Sequence, residues 1–207
     1  MSMAESTKKY QYVLYTILIV GLSMRLWGIN HQIYTDENKV ITPSVLLAQG
    51  KQTPLLYPKG SYYPHLYHYV LGAAFVPAAL LGSIYPGAGT NVDTYTLIAR
   101  IITAILGTAT IYVIYNIGKE IQDKKLGLLA ATLFAFLPLH VKYSHYTHVD
   151  IPLTLTTTLA LFTALRIRKT GLLKWYIATG ALTGISGAIH YTGFVIGIAL
   201  VFAHALH

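Results

Sequence analysis

The chain has 207 residues, of which 54% are hydrophobic and 11% charged, and its mean hydropathy is +0.52. Soluble domains carry about a quarter charged residues, so this balance excludes a globular protein wetted on every side. Absence of cysteine excludes disulfides and thiolate metal sites, and the net charge of +8 lies in short clusters between apolar runs, a pattern that orients membrane proteins rather than one that binds nucleic acid.

The first apolar run, Tyr12–Gly28, follows Lys8 and Lys9 and ends in Arg25-Leu26-Trp27-Gly28. It has no small-residue cleavage site and reads as a retained signal-anchor. Six more runs follow at Leu66–Tyr85, Tyr95–Ile117, Leu126–Leu139, Ile151–Leu165, Leu173–Gly187 and Thr192–Leu206. Each approaches the roughly 20 residues that a helix needs to cross a bilayer core.

The basic residues decide which runs cross. With the N-terminus cytoplasmic and all seven crossing, Lys39, Lys51, Lys59, Lys119, Lys124, Lys125, Arg166, Arg168, Lys169 and Lys174 fall outside, and only Lys8, Lys9 and Lys142 inside. That reverses the positive-inside rule. If Leu66–Tyr85 instead lies in the interface or re-enters, of these same residues only Lys39, Lys51, Lys59 and Lys142 remain outside. Pro77 and the aromatic pairs Tyr62-Tyr63 and Tyr67 with Tyr69 suit such a segment.

The expected fold is therefore all-α and polytopic, a single transmembrane domain over residues 1–207. It has about six transmembrane helices, a first external loop at about 29–94, and juxtamembrane helices in that loop, including the interfacial or re-entrant segment 66–85. Short internal turns are expected at Gly118–Lys125 and Arg166–Lys174. A second external loop is expected at Pro138–Asp150, and a tight external turn at Ile189–Tyr191.

Acidic residues are scarce. Glu5, Glu120 and Asp123 fall on the cytoplasmic side, whereas Asp36, Glu37, Asp93 and Asp150 fall outside. Carboxylates near a bilayer are costly and are often functional, and a pair at one level can orient a hydroxyl nucleophile and take its proton. Solvated loop residues for Asp36 and Glu37, with a helix N-cap for Asp150, are the alternative. Arg25 and Arg100 end and open spans on the external side, where Lys59 also lies. They either snorkel to the interface or gather around a lipid phosphate. His145-Tyr-Thr-His148-Val-Asp150 has a spacing that a metal can use, against interfacial histidine as the default. Gly180-Ala-Leu-Thr-Gly184 reads as a helix-packing face.

Taken in order, several motifs form a pattern. Arg25 precedes Thr35-Asp36-Glu37, then come Ala48-Gln49-Gly50, Tyr62-Tyr63-Pro64-His65-Leu66-Tyr67-His68 and Ala99-Arg100. Gly127-Leu128-Leu129-Ala130-Ala131 leads to Pro138, Ser144, Asp150 and Pro152, and His190-Tyr191-Thr192-Gly193 follows Gly184. From about Arg25 to Gly193 this order resembles the N-terminal membrane module of the GT-C glycosyltransferases, in the branch of protein O-mannosyltransferases and aminoarabinose transferases.

The resemblance implies transfer of a sugar from a polyprenyl-phosphate donor to an acceptor hydroxyl on the external or lumenal face, with inversion. Asp36 matches the family's catalytic aspartate, Glu37 its neighbour and Asp150 the second external carboxylate. Arg100 matches the arginine that opens the following span, and Lys59 lies near a phosphate-binding lysine of aminoarabinose transferases, although the surrounding motif differs. Arg25 and Arg100 with Lys59 are thus the candidate phosphate-binding set.

The residues name no metal ligand set and leave the use of a divalent metal open. Implied partners are membrane lipid, the polyprenyl-phosphate sugar donor and an acceptor protein or glycolipid. The implied location is the plasma membrane, or the ER membrane in a eukaryote. Two departures stand out. His190 replaces the lysine common before the Tyr-Thr-Gly turn, and family members usually run to several hundred residues. The short length raises the expectation of a fragment or minimal module, with a second subunit supplying the C-terminal half. It also motivates the alternative of a non-catalytic membrane subunit that binds lipid or a partner protein. A small-solute transporter has only the polytopic character in its favour.

Overall fold

The computed structural model describes residues 3–30, 35–51, 64–84 and 92–207. Among them the regular structure is helical. In chain order it comprises α1 (Met3–Leu26), a 3-10 turn (Thr35–Glu37), α2 (Asn38–Ala48), α3 (Leu66–Ile84), α4 (Val92–Ile121) and α5 (Lys124–Ala135). Then follow α6 (Pro138–Ser144), α7 (Asp150–Thr170), α8 (Leu173–Ile189), a second 3-10 segment (Tyr191–Ile196) and α9 (Gly197–Ala205).

The helix boundaries follow local chemistry. Asp123 caps α5, its Oδ1 accepting from the backbone of Lys125 and Leu126 at 2.9 and 2.8 Å. Gly171 closes α7 in the left-handed conformation, φ 59°. Pro138 sits in the first turn of α6, where its missing N–H does no harm. There the apolar run Leu126–Leu139, expected as one span, divides into α5 and α6, which meet at a 62° bend. The run is continuous in hydropathy, but proline cannot continue the helical hydrogen bonding. The expected external loop 138–150 accordingly begins as helix.

By length and composition, Thr94–Ile121 is long and apolar enough to cross a bilayer, and the bent pair of α5 and α6 makes a second such unit. The six expected crossings exceed what this measure gives. Large apolar side chains nonetheless stand exposed along several elements, among them Ile19, Leu80, Leu133, Ile177, Phe194 and Val201. A surface of that kind suits lipid better than water.

Helix α4 is the central element. At its C-terminal end Glu120 binds Arg166 and Lys169 of α7. At its N-terminal end Arg100 binds Glu37, which in turn accepts from the backbone of Thr147 just before α7. The α4 and α7 helices therefore run parallel, with α5 and α6 as the return. Helices α2 and α3 lie over the first part of α4, where Val40, Ile41, Tyr67, Leu71, Phe75 and Tyr95 form a buried cluster. Hydroxyl contacts join α7 to α8, Thr179 to Thr163 at 2.8 Å and Ser186 to Thr156 at 2.9 Å, as interhelical polar contacts do in apolar surroundings.

The close approach of α4 to α5 depends on Gly118 and Gly127. A Cβ on Gly118 would lie 2.7 Å from the Gly127 Cα, which is backbone and unable to swing aside. By contrast Gly180 and Gly184, expected as a packing face, are exposed and have nothing within 4 Å of such an added atom. The small residues that pack lie elsewhere, because spacing along one helix does not reveal which side meets a neighbour. Gly118→Ala is expected to cost about 1–3 kcal/mol through overpacking. Gly180→Ala is expected to be neutral or slightly stabilising. Melting curves of the two detergent-purified variants should separate them; equal melting temperatures would refute the packing assignment.

Candidate functional site

Three segments converge at the N-terminal end of α4: the turn after α1, the 3-10 turn Thr35–Glu37, and the stretch from Tyr146 into α7. Arg100 joins them. Its Nε donates to Glu37 Oε1 at 2.9 Å, its Nη2 to Glu37 Oε2, and its Nη1 to the Ile29 carbonyl. The same Glu37 Oε1 accepts from the Thr147 amide at 2.8 Å. Glu37 is 3% exposed and Arg100 5%. Such a fork-to-fork pair fixes both side chains in orientation as well as distance. The ring of Tyr146 lies 6.0 Å from the guanidinium carbon, within cation–π range.

The other two carboxylates are open to solvent. Asp36 is 44% exposed at its side chain and pairs with Lys39, one turn along, at 2.7 Å. Asp150 begins α7, is 49% exposed, and meets His148 Nδ1 through Oδ2 at 3.1 Å. The hydrogen bond and charge of Lys39 hold the Asp36 carboxyl below the usual carboxylate range, with a smaller contribution from His148. The hydrogen bond from His148 does the same for Asp150, against a partial opposing effect of burial, and His190 adds to it. His148 thus acts on both carboxylates. Asp36, Glu37, Arg100 and Asp150 are gathered at one end of the bundle. Lys119, Lys124, Lys125, Arg166 and Lys169 are at the other.

Arg25 is elsewhere. It is 0% exposed and therefore does not snorkel, since its guanidinium reaches no interface. Its Nη1 donates to the carbonyls of Gly21 and Ala135 at 2.8 and 3.3 Å, and its Nη2 meets His140 Nδ1 at 3.0 Å. The Ala135 carbonyl loses its helical partner at the α5–α6 break, and the buried arginine supplies one. Gly107 leaves room for this cluster, because a Cβ there would come 2.5 Å from Ser144 Oγ and 3.2 Å from Arg25 Nε. Arg25 thus ties α1 to the bend that directs α6. Lys59 and the pair Tyr62-Tyr63 lie outside the described residues.

A groove of about 990 Å³ opens beside Arg100. Met24, Trp27, Ile29, Phe136 and Val141 supply its apolar wall, and Arg100, Lys142, His145 and Tyr146 its polar groups. Asp36 and Asp150 are not among the lining residues; Arg100 alone belongs to both the groove and the carboxylate cluster. His145 is committed to backbone, Nδ1 to Val141 O at 2.8 Å and Nε2 to Trp27 O at 2.9 Å. It therefore does not share a ligand set with His148 and Asp150. Among the described residues no group of three or more His, Cys, Asp or Glu is placed to hold a metal ion.

Lys142 is the groove residue that motif reasoning passed over. Its one signal in the sequence is its place among the few lysines left on the external side by the charge count.

No curated protein matches this sequence. The family described as dolichyl-phosphate-mannose-protein mannosyltransferase matches residues 92–207, a stretch that includes Arg100, Lys142 and Asp150. With more than half of its length matched, the chain belongs to this family of membrane-embedded GT-C glycosyltransferases, whose activity draws on a lipid-linked sugar donor.

Proposed function

We propose that the protein is a multi-pass enzyme with a cytoplasmic N-terminus that transfers a sugar from a polyprenyl-phosphate donor to an acceptor hydroxyl, with inversion, at the non-cytoplasmic membrane face. The observation that carries this reading is the Glu37–Arg100 pair. It draws the Asp36 turn, the start of α4 and the approach to Asp150 together beside a largely apolar groove.

In the reaction the bond between the anomeric carbon and the phosphate oxygen breaks, and its electron pair leaves with the phosphate. The acceptor oxygen bonds to the opposite face of that carbon, and its proton passes to a carboxylate. Asp36 is the base: it is ionised, reachable from solvent, and paired with Lys39. Glu37 has both oxygens engaged, so it positions Arg100 rather than taking the proton. Arg100 stabilises charge on the departing phosphate. Asp150 with His148 orients the acceptor. Arg25 holds the α5–α6 bend and acts at a distance from the phosphate.

The test supplies the detergent-purified protein with dolichyl-phosphate mannose labelled in the sugar, together with a serine- and threonine-containing peptide. Label is expected in the peptide as the anomer opposite to that of the donor. A retained anomer overturns the single-displacement mechanism. Binding of the donor with no transfer under any acceptor would instead favour a non-catalytic membrane subunit.

A further inference from the structure

We propose that Lys142, on the helix after the bend, is the second cation of a lipid-phosphate site, and that the groove between α1 and the α5–α6 bend takes the isoprenoid part of the same molecule. This deepens the reading above and rests on it.

Arg100 faces the groove, but Glu37 already offsets its charge through a two-point contact. A phosphate arriving beside Arg100 therefore meets a neutral pair, and its own charge needs another cation. Lys142 lines the same groove and is exposed, and no hydrogen bond or ion pair of its ammonium is found among the described residues. No carboxylate lines the groove among those residues.

His145 adds to the same side. Both of its ring nitrogens meet carbonyl oxygens, at 2.8 and 2.9 Å. These contacts hold the ring in place beside Lys142 at the groove wall.

The remainder of the wall decides what kind of phosphate fits. Met24, Trp27, Ile29, Phe136 and Val141 present hydrocarbon beside the cations, and the volume is at the upper end of the roughly 300–1,000 Å³ found for small-molecule sites. A free anion has no use for such a wall, whereas a phosphate carrying a long apolar chain uses both halves. The 62° bend creates the opening, since a straight α5–α6 unit would carry Lys142 away along its axis.

The experiment measures binding of farnesyl phosphate to the full chain in detergent, with farnesol, inorganic phosphate and phosphatidic acid as competitors, for the native protein, Lys142→Gln and Lys142→Arg. Lys142→Gln is expected to weaken farnesyl phosphate about ten- to hundredfold, the effect of losing a charge-assisted contact. It should leave farnesol binding and the melting temperature unchanged, and Lys142→Arg should recover most of the loss.

If Lys142→Gln binds farnesyl phosphate as the native protein does, the assignment of Lys142 fails while the sugar-transfer reading stands. If inorganic phosphate competes as well as farnesyl phosphate, the groove is a free-anion site and the inference is overturned. Equal competition by phosphatidic acid overturns the isoprenoid preference. If the native protein binds no farnesyl phosphate, both this inference and the proposed function fall.

Discussion

Glu37→Gln and Arg100→Met are each expected to destabilise the purified protein by about 3–5 kcal/mol, because each leaves a buried charge without its partner. The side chains are 4% and 6% exposed, so water cannot take the lost partner's place. The glutamine variant keeps an acceptor for Thr147 but turns an amide N–H₂ toward guanidinium hydrogens, and the loss is larger than one hydrogen bond. The double variant is expected to melt closer to the native protein than either single variant, since two neutral side chains of similar volume no longer strand a charge.

Activity should not follow stability in that series. The double variant removes Arg100, one of the two cations lining the groove, so sugar transfer should stay lost even where folding recovers. A thermal melt and a transfer assay on the same preparations separate the two effects. Single variants that melt with the native protein would remove the pair from its place as the tie between the three segments.

Much of this arrangement was legible in the sequence. Thr35-Asp36-Glu37, Arg100 and Asp150 stand out because charge is rare here, and a charged residue beside an apolar run has few inexpensive places to go. What spacing does not encode is which rare charges meet. Arg25 and Arg100 look equivalent, each near the end of a span, yet one is buried against carbonyls of the bend and the other forks onto Glu37. The difference arises from the proline at 138, which breaks a continuous apolar run and frees the carbonyl that Arg25 binds.

Lys142 was missed for the same reason. In the sequence it is one of several lysines in external loops, and only the bend turns it into a groove residue. Gly180 and Gly184 show the converse error: a packing pattern was present, but among the described residues no neighbouring helix lies against it.

Asp36→Asn is expected to lower kcat for sugar transfer by about 10²–10⁴, the usual contribution of a positioned general base. The melting temperature should hardly change, because the exposed Asp36–Lys39 pair contributes little to folding. Donor KM should be unaffected, since the phosphate contacts lie at Arg100 and Lys142. The pH profile gives a second readout. Lys39 favours the ionised carboxylate, so the native enzyme should keep its base active until the pH falls below the ordinary aspartate value of about 3.9. Removing that cation with Lys39→Met raises the Asp36 pKa, and the acid limb of kcat should move to higher pH. A weak base suffices if the anomeric carbon is already largely cationic when the hydroxyl attacks, as in inverting glycosidases; the proton then leaves an oxygen that has been made acidic. Full transfer by Asp36→Asn, or an acid limb indifferent to Lys39→Met, would assign the base to another residue, and Asp150 with its histidine partner is the group at this end of the bundle that could serve.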